Sequence, residues 1–260
     1  MRRAARALGE VRPSWRRRRW ARLAIRVAQI IGVLIAVLAI GFGVLLLATP
    51  SVGNARQLAQ QIDRTHHAAY PGPAVPPRFA AALEATEDHL FNSEPGIDPI
   101  GVGRLLLGEM VGRGDQGGAT LYAQLAKMLY TPNDSSLGAQ FEQGGLAVKL
   151  WASYSHPEIL RLYSDVVYFG HGFYGLAAAS CGYFGVPPAG MSWPQAALLA
   201  GLVQGPTFDD PLMFPAHGLL REEHVLGRLV ATGHISQAQA DAYLKIPLSS
   251  LLARAGACRG

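Results

Sequence analysis

Twenty-two consecutive residues, Val27 to Ala48 (VAQIIGVLIAVLAIGFGVLLLA), carry no charge and a single amide, Gln29. As a helix, such a run spans roughly 30 Å, the thickness of the hydrocarbon core of a bilayer. A cleaved secretory signal has a shorter apolar core, about 7–15 residues, with a small-x-small cleavage site behind it. No clean site follows here, so the run predicts a retained transmembrane helix over 27–48. Residues 1–26 hold ten arginines and one glutamate, and few basic residues come just after the span. Basic residues stay on the cytoplasmic side, which puts the N-terminus in the cytoplasm and the body outside the membrane. The tail therefore carries +9 of the chain's net +5, and the remaining residues sum to −4. Basic character is a local device, read as an orientation signal and a contact for anionic inner-leaflet lipids rather than for nucleic acid.

Residues 49–76 are polar and then proline-rich (YPGPAVPP) and read as a stalk or linker. From 77 to 245 helical signals dominate, which predicts a mostly α, single compact domain. In RFAAALEATEDHLF, Phe79, Ala82, Leu83 and Leu90 fall on one helical face. Ser192 and Gln195 stand at capping-box spacing with Pro194 in the first turn, and Ser236 and Gln239 repeat that spacing. Residues 246–260 read as a C-terminal tail. Cys181 and Cys258 lack metal-type spacing, and a disulfide between them stays open.

Two places carry candidate chemistry. Glu87 and Asp88 close an apolar helix just before a Pro-Gly turn. Acidic groups there oppose the helix dipole, at a cost of a few tenths of a kcal/mol. They are either a solvated helix end or carboxylates held at a cleft, where burial would raise a pKa toward general acid–base work. The second place is Gly117-Gly118 leading into a helix on which Thr120, Gln124 and Lys127 line up at i, i+4 and i+7. Free N–H groups above a hydroxyl, an amide and an ammonium suit a phosphate or a sugar, and an ordinary amphipathic helix gives the same pattern. His66, His67, His171 and His234 show no ligand spacing. The absence of HExxH, CxxC or an Asp-rich calcium loop argues against a protein-built metal site.

The order EDHLF…GID, GGATLYAQLAK, SHPEILRLYSDVVYFGHGFYGLAAASCGYFG and SWPQAALLAGLVQGPTFDDP resembles the glycosyltransferase family 51 domain. This is the peptidoglycan transglycosylase module of class A penicillin-binding proteins and of monofunctional transglycosylases. The likeness runs from about Arg78 to Pro211 and loosely to about residue 245, roughly two thirds of the chain. It implies a lysozyme-like helical fold, and with no transpeptidase region behind it, a monofunctional enzyme of the cytoplasmic membrane. The implied reaction polymerises lipid II, with lipid II, the nascent glycan strand and cell-wall synthesis proteins as partners.

In the family's first motif, Glu-Asp-x-x-Phe-x-x-His-x-Gly, this chain matches at Glu87, Asp88, Phe91 and Gly96 and has Glu94 for the histidine. Glu87 falls on the family's general base. In the second motif Gly117, Thr120, Gln124 and Lys127 match, with Ala119 for serine and Met128 for asparagine. The third motif, Arg-Lys-x-x-Glu, falls without gaps on Ala139, Gln140 and Gln143. Glu142, the neighbouring carboxylate, is the candidate second catalytic group although it lies one residue, about 100° of helix, from the Gln143 position, and Gln143 is a candidate substrate contact. The family's asparagine before the YFGHG run is Asp165. The diphosphate leaving group still needs positive charge in the transition state. Lys127, Lys149 or a bound Mg²⁺ could supply it in part. The alternative the same residues carry is a weak or inactive family member that binds lipid II or the wall-building machinery.

Overall fold

The computed structural model describes residues 15–98 and 120–253. Helix α1, Trp15–Ala48, contains one stretch, Arg22–Ala48, long and apolar enough to cross a membrane. Its 27 residues extend about 40 Å. The residues from Thr49 onward form a separate compact unit.

That unit is helical, as expected, and no strand occurs among its described residues; one isolated antiparallel bridge joins Tyr168 and Tyr174. Its helices are α2 (Ala55–Thr65), α3 (Pro77–Glu87), α4 (Leu121–Tyr130), α5 (Leu137–Ser153), α6 (His156–Val166), α7 (Leu176–Phe184), α8 (Trp193–Leu202), α9 (Pro215–Ala231), α10 (Gln237–Tyr243) and the short α11 (Leu248–Leu251). Local chemistry sets their ends. Thr120 and Ser136 cap α4 and α5 by accepting the N–H of Ala123 (3.1 Å) and Ala139 (3.2 Å). Both capping boxes foreseen at Ser192 and Ser236 form, and Gly185, at φ 68°, closes α7 in the left-handed region.

Helix α8 lies at the centre. Every residue from Ala196 to Leu202 is buried, and a helix apolar on all sides needs cover on all sides. Helices α3 and α9 supply part of that cover, while α4 packs on α5 and α6. Arg221 of α9 donates Nε to the Gly201 carbonyl at 2.9 Å, across a gap so small that a Cβ on Gly201 would lie 2.9 Å from that of Arg221. Phe79, Phe91, Phe169, Tyr122, Tyr163 and Tyr183 are the large, fully buried side chains.

Three stretches depart from the sequence reading. Residues 49–76, expected as a stalk, fold onto the domain. Val52, Ala55 and Ala59 enter the core, Lys149 Nζ donates to the Thr49 and Pro50 carbonyls (2.6 and 3.0 Å), and Tyr154 donates to the Val52 carbonyl (2.7 Å). The inward face of α2 is built from small alanines, so apolar periodicity is faint there. Residues 246–253 of the expected tail are also packed. Leu248 and Leu251 are buried, and Ala253 N donates to the Tyr183 carbonyl at 2.7 Å. Finally, α3 stops at Glu87 instead of running on to Leu90, which is exposed, while Phe91 turns into the core. Cys181 is disulfide-bonded; Cys258, the chain's other cysteine, lies outside the described residues.

Candidate active site

Glu87 is the last residue of α3, and its carboxylate is held from α4 directly and from α6 through Gln124. Gln124, in the middle of α4, donates its amide Nε2 to Glu87 Oε2 at 3.0 Å. Tyr163, on the inner face of α6 and fully buried, donates its hydroxyl to Gln124 Oε1 at 2.7 Å. The amide orientation follows from chemistry. A carboxylate only accepts, so the NH₂ must face Glu87 and the oxygen must face the phenol. Burial pushes the Glu87 carboxyl above its ordinary value. The Gln124 hydrogen bond and the Arg221 charge oppose that rise, and the Asp88 charge adds to it. The product is an oriented carboxylate of raised basicity, the property a general base needs.

Asp88 leaves the helical conformation and turns inward. Its Oδ2 accepts the backbone N–H of Leu121 at 2.9 Å, in the first turn of α4. The residue that is a poor end for α3 is therefore a favourable anion at the positive end of α4. Thr120, beside it, is buried. Its hydroxyl donates to the Gly96 carbonyl (2.7 Å) while accepting from Ala123 N. Two hydrogen bonds thus tie the loop after α3 to the start of α4. Gly96 completes the tie. At φ 81° it sits where a Cβ would stand 2.5 Å from the Ala147 carbonyl of α5.

The other sequence candidates are placed differently. Phe91 is a core residue, 5.0 Å from the Tyr122 ring and edge-on to His156 at 5.3 Å. Lys127 is exposed on α4. Gln143 donates to the Thr131 hydroxyl at 2.8 Å, at the far end of α4 from Leu121. Among the described residues no hydrogen bond or ion pair joins Gln143 or Glu142 to Glu87. Lys149 holds the carbonyls of Thr49 and Pro50. Gly117 lies outside the described residues. His171 pairs with Asp210 at 3.0 Å, and Asp210 also accepts Leu212 N, a loop tie rather than a ligand set. Tyr163 and Arg221 escaped sequence reasoning. The first reads as one more apolar position of α6, and the second lies on a helix 134 positions beyond Glu87. A groove of about 1020 Å³ lined by Arg56, Tyr70, Glu84, His156, Arg161 and Asp165 runs past Glu84, one turn before Glu87, and does not include Glu87.

The transglycosylase family model matches residues 54–230. Penicillin-binding protein 1A of Aquifex aeolicus is 34% identical over 176 residues, 67% of this chain and 24% of that protein. Penicillin-binding protein 2a of Streptococcus pneumoniae is 35% identical over 66% of this chain and 23% of its own length. This chain thus spans about a quarter of those proteins. A candidate transglycosylase of Cupriavidus necator is 32% identical over 216 residues, 82% of this chain and 94% of that protein. A crystal structure of penicillin-binding protein 1A from Haemophilus influenzae overlaps 49% of this chain and 16% of its own, at 29% identity and a TM-score of 0.34, too partial to define the whole fold.

Proposed function

The chain belongs to the transglycosylase family, and from that premise we propose that it is a peptidoglycan glycosyltransferase that polymerises lipid II into glycan strands. The observation that supports this most directly is the Glu87–Gln124–Tyr163 relay, a raised-pKa carboxylate aimed by a neutral amide and a buried phenol. In the proposed step the acceptor sugar hydroxyl attacks the donor's anomeric carbon. Glu87 takes the hydroxyl proton, a C–O bond forms, and the anomeric bond to phosphate breaks. Undecaprenyl diphosphate leaves with the electron pair. A positioned base contributes about 10²–10⁴-fold to such a step.

The leaving group needs charge compensation, and the cationic pair of the family's third motif is Ala139-Gln140 here. Lys127 is the exposed cation on the helix that bears Gln124. No cluster of three or more His, Cys, Asp or Glu among the described residues could hold a metal ion. A Mg²⁺, if used, would supply positive charge to the donor diphosphate. The proposed topology is a single pass through the cytoplasmic membrane at α1, with a cytoplasmic N-terminus and the domain outside, where the lipid-linked substrate is presented.

The test is polymerisation of labelled lipid II by the detergent-solubilised chain, wild type beside Glu87→Gln, with Mg²⁺ and with chelator. Polymer from the wild type alone is the expected result. The placement of Gln143 on Thr131 favours a second reading, a domain that binds lipid II and turns it over weakly or not at all. Bound lipid II with no polymer from either protein would establish it.

A further inference from the structure

The groove beside Glu84 has no part in the step above. It runs between the segment before α3, α3 itself and α6, and holds about 1020 Å³. Pro71, Ala74, Val75 and Leu160 give it uncharged wall. Charges of both signs stand on the rest. Most of them are already engaged. Arg56 Nε donates to Glu158 Oε1 at 2.6 Å, and Glu84 Oε2 accepts the Asn92 amide at 3.0 Å. Arg161 Nη2 donates to the Gly72 carbonyl at 2.7 Å. Two groups are left over. Asp165 is 5% exposed, and its Oδ2 has no hydrogen-bond partner among the described residues. The Nε of Arg161, one turn earlier on the same face of α6, has none either. Burial pushes the Asp165 carboxyl up to about 6, against the Arg161 charge, and it remains mostly an anion at neutral pH. The family's motif has an asparagine at this position, which donates as well as accepts; the aspartate only accepts.

An unmet acceptor and an unmet donor on one groove, with apolar wall around them, suit a ligand that carries both signs of charge. A bare sugar has only hydroxyls and leaves those charges unpaired. A diphosphate would face Glu84, Glu158 and Asp165 together. A short zwitterionic peptide meets the whole lining: an ammonium for Asp165, a carboxylate for Arg161, and an uncharged backbone along the wall. We propose that the groove is a subsite for the peptide stem of the substrate, in which Asp165 pairs with the stem's side-chain ammonium and Arg161 with one of its carboxylates. Position supports this. Glu84, on the groove, precedes Glu87 by three residues, about 4.5 Å of helix rise. A five-residue stem extends up to roughly 17 Å. A peptide carried on a sugar at Glu87 therefore reaches the groove.

The identity of the peptide rests on the transferase reading; the charge chemistry of the groove does not. The experiment therefore has two readouts on the full detergent-solubilised chain. Calorimetry measures binding of the free pentapeptide stem and of the same peptide acetylated on its side-chain amine. Polymerisation kinetics use lipid II carrying either form. Wild type, Asp165→Asn and Ala74→Trp are compared. Asparagine is nearly isosteric and is the family's own residue there. Ala74 is exposed on the groove wall, so a tryptophan fills the groove without entering the core. Acetylation should weaken binding to the wild type about tenfold or more and raise KM to match, with kcat steady. It should change little in Asp165→Asn. Ala74→Trp should bind neither peptide. The stem amidated at its carboxylates, set against Arg161→Gln, tests the other half by the same cycle. No binding of the free stem by the wild type overturns the proposal. So does equal binding of the free and acetylated forms, or a loss on modification that is the same in wild type and in the matching variant. If no variant polymerises lipid II, the transferase reading fails, and calorimetry alone decides what the groove binds.

Discussion

Gln124→Ala tests the relay at its middle member. The amide makes two bonds that differ in kind: it donates to a carboxylate at 3.0 Å and accepts from a buried phenol at 2.7 Å. Removing it strands the Tyr163 hydroxyl in the core, which costs about 1–3 kcal/mol in stability. It also removes a hydrogen bond that favours ionised Glu87, a charged bond of about 1.5–3 kcal/mol. The Glu87 pKa should therefore rise further beyond its already raised value. A base must be ionised to act. The acid limb of kcat/KM should therefore move alkaline, as the lipid II polymerisation assay reads it. Urea unfolding measures the stability part, and Tyr163→Phe added to Gln124→Ala should recover most of it by deleting the stranded hydroxyl. The pH limb should not recover, because phenylalanine restores nothing to Glu87. An acid limb unmoved in Gln124→Ala would refute the assignment of Gln124 as the group that holds Glu87 ionised.

Two further outcomes follow from the packing. Gly96→Ala puts a Cβ 2.5 Å from the Ala147 carbonyl at a φ of 81°, and should lower stability by about 2–4 kcal/mol, read as a drop in the urea midpoint. A midpoint equal to wild type would mean the loop after α3 is not held as described. Asp63→Asn acts on a carboxyl that is wholly buried, has no donor among the described residues, and is pushed up to about 7, first by burial and then by the Asp165 charge. Its stabilising contribution is present below its ordinary value near 3.8 and is lost as pH rises through about 7. The stability advantage of Asp63→Asn over wild type should therefore grow by on the order of 1 kcal/mol per pH unit across that window. Thermal melts at a series of pH values check it, and a constant difference would count against it.

The sequence by itself determined what depends on near neighbours. A 22-residue uncharged run is span-length whatever follows it, and a serine three residues ahead of a glutamine closes a capping box within one helical turn. The helical class of the body, the ends of α8 and α10, and the interest of Glu87 and Asp88 were all legible on that scale. Only the tertiary structure decided what depends on distant partners. Gln124 reaches Glu87 across 37 positions, and Tyr163 reaches Gln124 across 39, with no local periodicity to announce either. Asp88 reads as a misplaced charge at the end of α3 until α4 presents its N-terminus to it. The alanines of α2 look like linker until Lys149 and Tyr154 draw the segment onto the domain. Gln143 follows the same rule: its residue type is written in the chain, but the Thr131 it holds is fixed by how α4 packs on α5. Chain order fixes contacts within about one helical turn. The aim of Glu87 is set by groups brought together from three helices, α3, α4 and α6, and so appears only once those helices are packed.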